Sequence, residues 1–299
     1  MQIGVHLPQL ALAGGTLSSG RLQATVQAAR RHGCRAVSAN DHFDFAEPWL
    51  DGLVALAVAA HDAGELELMT SVALPSLRGP VPLAAALAAL SRITDGKVVA
   101  GVGPGSSVAD QQLMGFDSEE RWQRFDASVV ALKEVLDPNR TDRPASVAVA
   151  ADPIPVWVAS WGSAAGLRRV ARLGDGWLAS AYNTSPDQFA TGLERLREEL
   201  DRRGRSAADF PHALVTMWLW VTDDQREADR MLEQLLAPTL GRTPEELRER
   251  VCIGSVERCA DLLGRYAAVG CRRIHVWPLG DEAQQLERLM SEVLPRATP

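Results

Sequence analysis

The chain has 299 residues, 46% hydrophobic and 23% charged, enough to bury a full core as one large domain or two small ones. With 31 basic against 38 acidic residues the net charge is −7, so the basic excess of a general nucleic-acid binder is missing. The longest wholly apolar run, residues 81–90, is far too short to span a bilayer, so no membrane segment is expected.

Strand-like and helix-like periodicities alternate along the chain. Strands are predicted at 2–7, 36–39, 66–73, 98–102, 156–160, 176–180, 214–222 and 273–277. Amphipathic helices are predicted at 19–32, 49–62, 81–94, 119–136, 163–173, 186–203, 256–269 and 281–294. Glycine turns such as His32-Gly33, Asp95-Gly96, Gly174-Asp175-Gly176 and Val269-Gly270 sit where a helix should end and the next strand begin. Strict alternation implies a parallel sheet. Eight units favour an α/β fold of the closed (β/α)8 TIM-barrel type over an open doubly wound sheet. Residues 1–299 then form a single domain with two excursions, 137–155 and a charge-rich helical insertion after strand seven at 223–250, the place to look for a lid.

Met1-Gln2-Ile3-Gly4-Val5 shows no basic segment followed by an apolar one, so it does not read as a secretory signal. Cysteines at 34, 252, 259 and 271 have neither Cys-x-x-Cys nor metal-ligand spacing, which points away from disulfides and zinc and toward the cytoplasm. Only Lys97 and Lys133 are lysines, which leaves little room for Schiff-base chemistry.

In such a barrel the active site forms at the C-terminal ends of the strands. Those ends carry His6, then Asn40-Asp41-His42, then Thr70-Ser71-Val72, then Gly103-Pro104-Gly105-Ser106. Strand five ends in Ser160-Trp161-Gly162-Ser163, strand six in Ser180, strand seven near Trp218 and Trp220, and strand eight at Trp277. Period-2 alternation turns His6, His275 and Trp277 into the barrel, either toward the mouth or as packed core.

The G-x-G-x-G run at 101–105 is neither a dinucleotide fingerprint nor a P-loop, and serves equally as a tight strand exit. Gly162-Ser163 opens a helix whose free N–H groups suit a phosphate, while Ser163 also reads as a plain N-cap. His42 is suited to acid, base or hydrogen-bonding work near neutral pH. No serine or cysteine elbow supports a hydrolase, and the acidic residues show no metal pattern. Trp161, Trp218 and Trp277 suit an aromatic pocket for a planar ring and an apolar substrate, whereas Trp157 and Trp177 read as core.

Taken in order, IGVHLPQ, NDHF, LELMTSVALP, SRITDGKVVAGVGPG, MGFDSEERWQRFDASVVALKEVL, PIPVWVASWGSAAGLRRVARLGDGW and IGSVERCADLLGRYAAVGCRRIHVWPLG cover nearly the whole chain. With EVLP near the end, they resemble the luciferase-like monooxygenase family of flavin and deazaflavin (F420) oxidoreductases. The resemblance implies a TIM barrel with an insertion after strand seven, usually a homodimer, holding coenzyme F420 or FMN at its C-terminal mouth. It implies a small-molecule organic substrate and, for cofactor reduction, a separate flavin or F420 reductase. A non-prolyl cis peptide is implied at Ser71–Val72.

By the same matching, Asp41 and His42 lie beside the reactive ring edge, with His42 catalytic. Gly103, Pro104, Gly105 and Ser106 contact the ring or ribityl chain, and the Gly162 and Ser163 amides the phosphate, Ser160 joining that cofactor-binding set. His6, Trp161, Trp218 and Trp277 would shape the substrate pocket. Ser106 stands where the family's sugar-phosphate dehydrogenase carries an acid, which argues against that reaction, and Trp49 matches its active-site tryptophan only loosely. The expected activity is F420-dependent hydride transfer. The alternatives are an FMN-dependent monooxygenase, a flavin-binding barrel without turnover, and a sugar-phosphate aldolase or isomerase that lacks a placed lysine.

Overall fold

Alternating β-branched runs and capped helices close into a parallel barrel in the computed structural model, which describes residues 1–12 and 15–298. Its strands are β1 (Gln2–His6), β2 (Ala36–Ala39), β3 (Glu67–Thr70), β4 (Val98–Val102), β5 (Val156–Ala159), β6 (Gly176–Ser180), β7 (His212–Val221), β8 (Cys252–Gly254) and β9 (Arg273–Pro278). Neighbours pair in chain order from β1 to β7, and β9 closes the ring between β7 and β1. Registers such as Val5 with Val37 and with Val276 carry the aliphatic face of each strand outward onto the helices.

Eight strands make the TIM barrel; β8 is an addition that the periodicity does not predict. It pairs Cys252–Gly254 with Leu219–Val221 at the far end of β7. Three residues are too few for a period-2 signal to register. The excursion before it, predicted as one helical insertion, breaks into Gln225–Asp229, the π-helical Arg230–Leu236, Ala237–Leu240 and Pro244–Arg248. Short helices at Pro75–Arg78, Val108–Leu113 and Ala145–Ala148 also escape the periodic signal, being a turn or two long. Among the described residues no helix is long and apolar enough to cross a membrane.

Outer helices start on side-chain caps: Ser18, Asp51, Ser163, Ser185 and Ser255 each accept a backbone N–H from the first turn. The barrel floor is closed by Arg273, whose Nη1 lies 2.5 Å from Glu67 Oε1 and whose guanidinium covers the Trp157 ring at 5.4 Å. As expected, Trp157 and Trp177 fill the core, the latter stacked on Phe189 outside the barrel.

Above the floor, His275 lies in the barrel interior with Nδ1 2.9 Å from Ser38 Oγ. It occupies the space that a side chain at Gly4 would need, since a Cβ there would sit 2.6 Å from the ring. His6 and His275 are fully buried, and burial lowers the pKa of each from 6.5 to about 3, the Arg273 charge adding to the effect at His275. Both rings are neutral in the fold, yet each takes up a proton on unfolding below its ordinary pKa. Stability is therefore lost as pH falls from about 6.5 toward 3, at roughly 1.4 kcal/mol per pH unit for each ring. We predict that the urea midpoint of His275→Gln falls less steeply than that of the parent over the upper part of this range. Parallel curves would contradict the assignment.

Candidate active site

At the C-terminal end of the barrel the loops enclose a cavity of about 310 Å³, the size of a small-molecule site. A wider groove of about 690 Å³ lies at the opposite end, between Lys133–Asp137 and Pro153–Val156, away from the strand ends that carry chemistry. The cavity takes Asn40, Asp41 and His42 from the end of β2, and Ser71 and Val72 from the end of β3. After β4 come Gly103, Pro104, Gly105 and Ser106, and after β5 Ser160, Trp161 and Ser163. Ser180, Tyr182, Val215 and Thr216 complete the wall from β6 and β7.

The Ser71–Val72 peptide is cis, as the family resemblance implied. Val72 backs directly onto Gly103, where a Cβ would lie 2.6 Å from Val72 Cγ2, so only glycine permits this approach. Gly105 turns the loop with φ +75°, a conformation that glycine adopts freely.

Gly162 is the one member of the predicted cofactor set outside the wall. Its N–H donates to Ser160 Oγ at 3.2 Å, and Ser163 Oγ caps the next helix by accepting from the Gly166 N–H at 3.1 Å.

Asp41 is buried in the cavity wall. Its carboxylate accepts from Arg78 Nε at 2.6 Å, Arg78 Nη2 at 2.7 Å and the Leu74 N–H at 3.0 Å. Arg78 also donates to Asp51 Oδ2 at 2.5 Å, and Asp51 caps the helix Gly52–Ala60. Burial pushes the Asp41 carboxyl up, against the hydrogen bonds and charge of Arg78 and the Leu74 amide. Burial opposes the Arg78 charge as well, but the two carboxylates outweigh it and raise the guanidinium above its ordinary value.

His42 points its Nδ1 at Asp110 Oδ2, 3.2 Å away. Phe45 and Trp49 flank the imidazole at centroid distances of 5.0 and 4.5 Å. Asp110 does not stand out in the sequence. The spacing Ser107-x-x-Asp110 does announce a helix start, and Ser107 Oγ accepts the Asp110 N–H at 3.0 Å. The carboxylate, though, reaches out of its helix to the 42–44 loop. It accepts the Phe43 and Asp44 N–H groups at 2.8 and 2.7 Å. Burial works against its charge, but the bonds from His42 and these two amides hold it below the usual carboxylate range.

Arg121 is a second site residue that sequence reasoning misses. It lines the cavity with its Nε buried and without a partner among the described residues, and its guanidinium lies 4.9 Å from the Trp122 ring centroid. Thr216 stands at φ +59°, unusual for a β-branched residue, at a bulge where the β7–β9 register shifts between Leu214 and Met217.

Of the residues expected in a substrate pocket, Trp161 lies on the cavity rim, about half exposed at 53%. His6, Trp218 and Trp277 do not line the cavity. They form a buried stack, His6 on Trp277 at 3.5 Å and Trp277 on Trp218 at 4.2 Å. Trp49 joins this stack to His42, edge-on to Trp277 at 5.7 Å.

The model of the luciferase-like monooxygenase family matches residues 1–250. The chain belongs to that family. F420-dependent glucose-6-phosphate dehydrogenases of Segniliparus rotundus and Kineococcus radiotolerans are each 28% identical to it, over 60% and 72% of this chain. The matched stretches span 58% and 66% of those relatives' own lengths, so the chain aligns with less than two thirds of either. Among solved structures it is similar to an F420-dependent secondary alcohol dehydrogenase in complex with an F420-acetone adduct, at TM-score 0.83, 16% identity and coverage of 100% and 99%. Monooxygenase RslO1 from Streptomyces bottropensis gives TM-score 0.82 at 18% identity, with 99% of each chain covered. These two likenesses show the fold.

Within the luciferase-like barrel, Arg78 ties together the end of β2, the 71–78 segment and the helix capped by Asp51. Replacing it strands a buried carboxylate. Arg78→Met is expected to lower unfolding free energy by about 3–5 kcal/mol in urea denaturation. A loss below about 1 kcal/mol would mean the pair behaves as an exposed one.

Proposed function

We propose that this chain is an oxidoreductase that transfers a hydride between coenzyme F420 and a small organic substrate, with His42 at the reacting end of the cavity. The carrying observation is that one cavity combines an apolar back wall at Val72, Gly103 and Leu178 with His42 and with polar atoms that lack protein partners. Those atoms are Ser71 Oγ, Asn40 Oδ1 and Arg121 Nε. A buried donor or acceptor left unpaired costs roughly 1–3 kcal/mol, so such atoms fit a ligand that supplies the missing bonds. A planar ring with a polar, anionic tail meets both requirements.

When bound, the deazaflavin supplies the carbon that gives or takes the hydride. The chain's own part is to seat the ring against Val72 and Gly103 and to draw the anionic tail toward Arg121 and the helix start at Ser163. His42 accepts or relays a proton at Nε2, which makes no hydrogen bond among the described residues. The 223–250 insertion is the proposed lid. It packs Leu232, Leu236 and Leu247 over Trp218 and Trp277, and Arg250 donates to the carbonyl of Tyr182 on the cavity wall.

The reading includes a homodimer and a separate reductase acting in the cytoplasm. Val54, Val81 and Ile93 are exposed apolar side chains on the two adjacent helices Gly52–Ala60 and Pro80–Ile93, and all four cysteines are free. Glucose 6-phosphate is not proposed as substrate, since Ser106 takes the place of the acid that goes with that reaction.

Titrating the purified chain with F420 and with FMN, followed by tryptophan fluorescence, tests the cofactor. F420 is expected to bind, and Arg121→Met to weaken it about tenfold, the worth of one charge-assisted hydrogen bond. Tight FMN binding without F420 binding would replace this reading with an FMN monooxygenase, and binding of neither would overturn both. His42→Ala should retain F420 but lose roughly 10²–10⁴ in turnover. Unchanged turnover would remove His42 from the chemistry.

A further inference from the structure

Asp110 is a carboxylate with two differently committed oxygens. Oδ1 accepts two backbone amides, from Phe43 at 2.8 Å and Asp44 at 2.7 Å. A backbone N–H can only donate, so whatever atom occupies this place must be an acceptor. Oδ2 is left to face His42 Nδ1 at 3.2 Å. The side chain is almost completely buried, at 1% exposure, and Ser107 Oγ fixes its backbone by accepting the Asp110 N–H. Phe45 and Trp49, on the flanks of the imidazole, offer no competing acceptor to Nδ1. The other nearby carboxylate, Asp41, is consumed by Arg78 and the Leu74 amide.

A neutral imidazole carries one proton, on Nδ1 or on Nε2, and the partner of one nitrogen decides the state of the other. We propose that Asp110 is the positioning residue of this site. It holds neutral His42 in the tautomer protonated on Nδ1, so that Nε2 presents a lone pair, and not an N–H, to the cavity. This rests on the function proposed above and deepens it, because it makes His42 a proton acceptor toward a bound substrate before it can become a donor. The neighbouring pair Asp41-His42 is thereby divided: Asp41 holds the wall, and the acid that governs His42 comes from a different loop.

The geometry makes a sharp demand on Asp110→Asn. The amide oxygen must stay on the Phe43 and Asp44 N–H groups, which turns the new NH2 toward His42. Nδ1 then has to accept, and the ring proton moves to Nε2. A near-isosteric change thus inverts the tautomer, whereas a purely structural role for Asp110 would leave it alone.

The test is two-bond nitrogen–proton NMR correlation of the ring on the full chain labelled with 15N-histidine, at an alkaline pH where the ring is neutral. The His42 signals are identified by their loss in His42→Gln. The parent should show a protonated Nδ1 and a bare Nε2, and Asp110→Asn the reverse. Turnover of Asp110→Asn should fall by about a hundredfold or more while F420 affinity stays within about threefold, as expected when a histidine base is held in the wrong tautomer. A parent ring protonated on Nε2 would overturn the proposal by itself, even if Asp110→Asn failed to fold. So would an Asp110→Asn chain that keeps the parent tautomer. The spectrum needs no cofactor. A chain that binds neither F420 nor FMN would therefore fail the proposed function while the tautomer still decides the role of Asp110.

Discussion

A buried ion pair between Asp41 and Arg78 holds the mouth of this barrel in shape. Asp41 follows β2 by two residues, Arg78 closes the short helix Pro75–Arg78, and Asp51 caps the helix Gly52–Ala60, so one guanidinium joins three segments that loop geometry alone would leave independent. The backbone follows the same plan, since the Asp41 N–H donates to the Val72 carbonyl at 3.0 Å. The apolar back wall of the cavity, Val72 against Gly103, is set by this fastening. Charges removed from water are costly unless matched, and here each carboxylate oxygen of Asp41 has a donor. That match ties the cavity's shape to the stability of the fold.

On the other side of His42 the logic is repeated with a different purpose. Asp110 also satisfies backbone amides, but it spends its second oxygen on an ionisable ring that faces the cavity. Two aspartates of similar burial thus do different work because their donors differ. A guanidinium with a fixed charge makes Asp41 a strut, whereas the role proposed for Asp110 turns on an imidazole with two tautomers. The aromatic stack of His6, Trp277 and Trp218 lies alongside, joined to His42 through Trp49. It supports the flank of the site from behind, and the helices of the 223–250 insertion cover it.

Much of this is legible along the chain. Strand and helix alternation is a periodic signal carried by many residues, so the barrel and most element boundaries follow from it. Strand ends are the place of function in such barrels, and that rule alone brings forward His42, Ser71, Val72, the 103–106 loop, Ser160 and Ser163. Arg121 and Asp110 stay hidden because each lies in a helix by sequence and reaches the cavity only through its side chain. The stacked His6, Trp218 and Trp277 do lie on inward faces, as alternation requires. Inward, however, covers both the cavity wall and the part of the mouth that aromatic packing fills, and alternation does not tell one from the other.

By itself the sequence determined the closed alternating barrel, the strand ends that line the cavity and the family to which it belongs. These depend on periodicity and on residue order, which are local and additive. Only the tertiary structure decided which acid meets which partner. Asp41 and His42 are adjacent in the chain yet part company, and His42 meets a carboxylate 68 residues away. Hydrogen-bond partners are chosen by direction and distance in space, and a linear chain records neither.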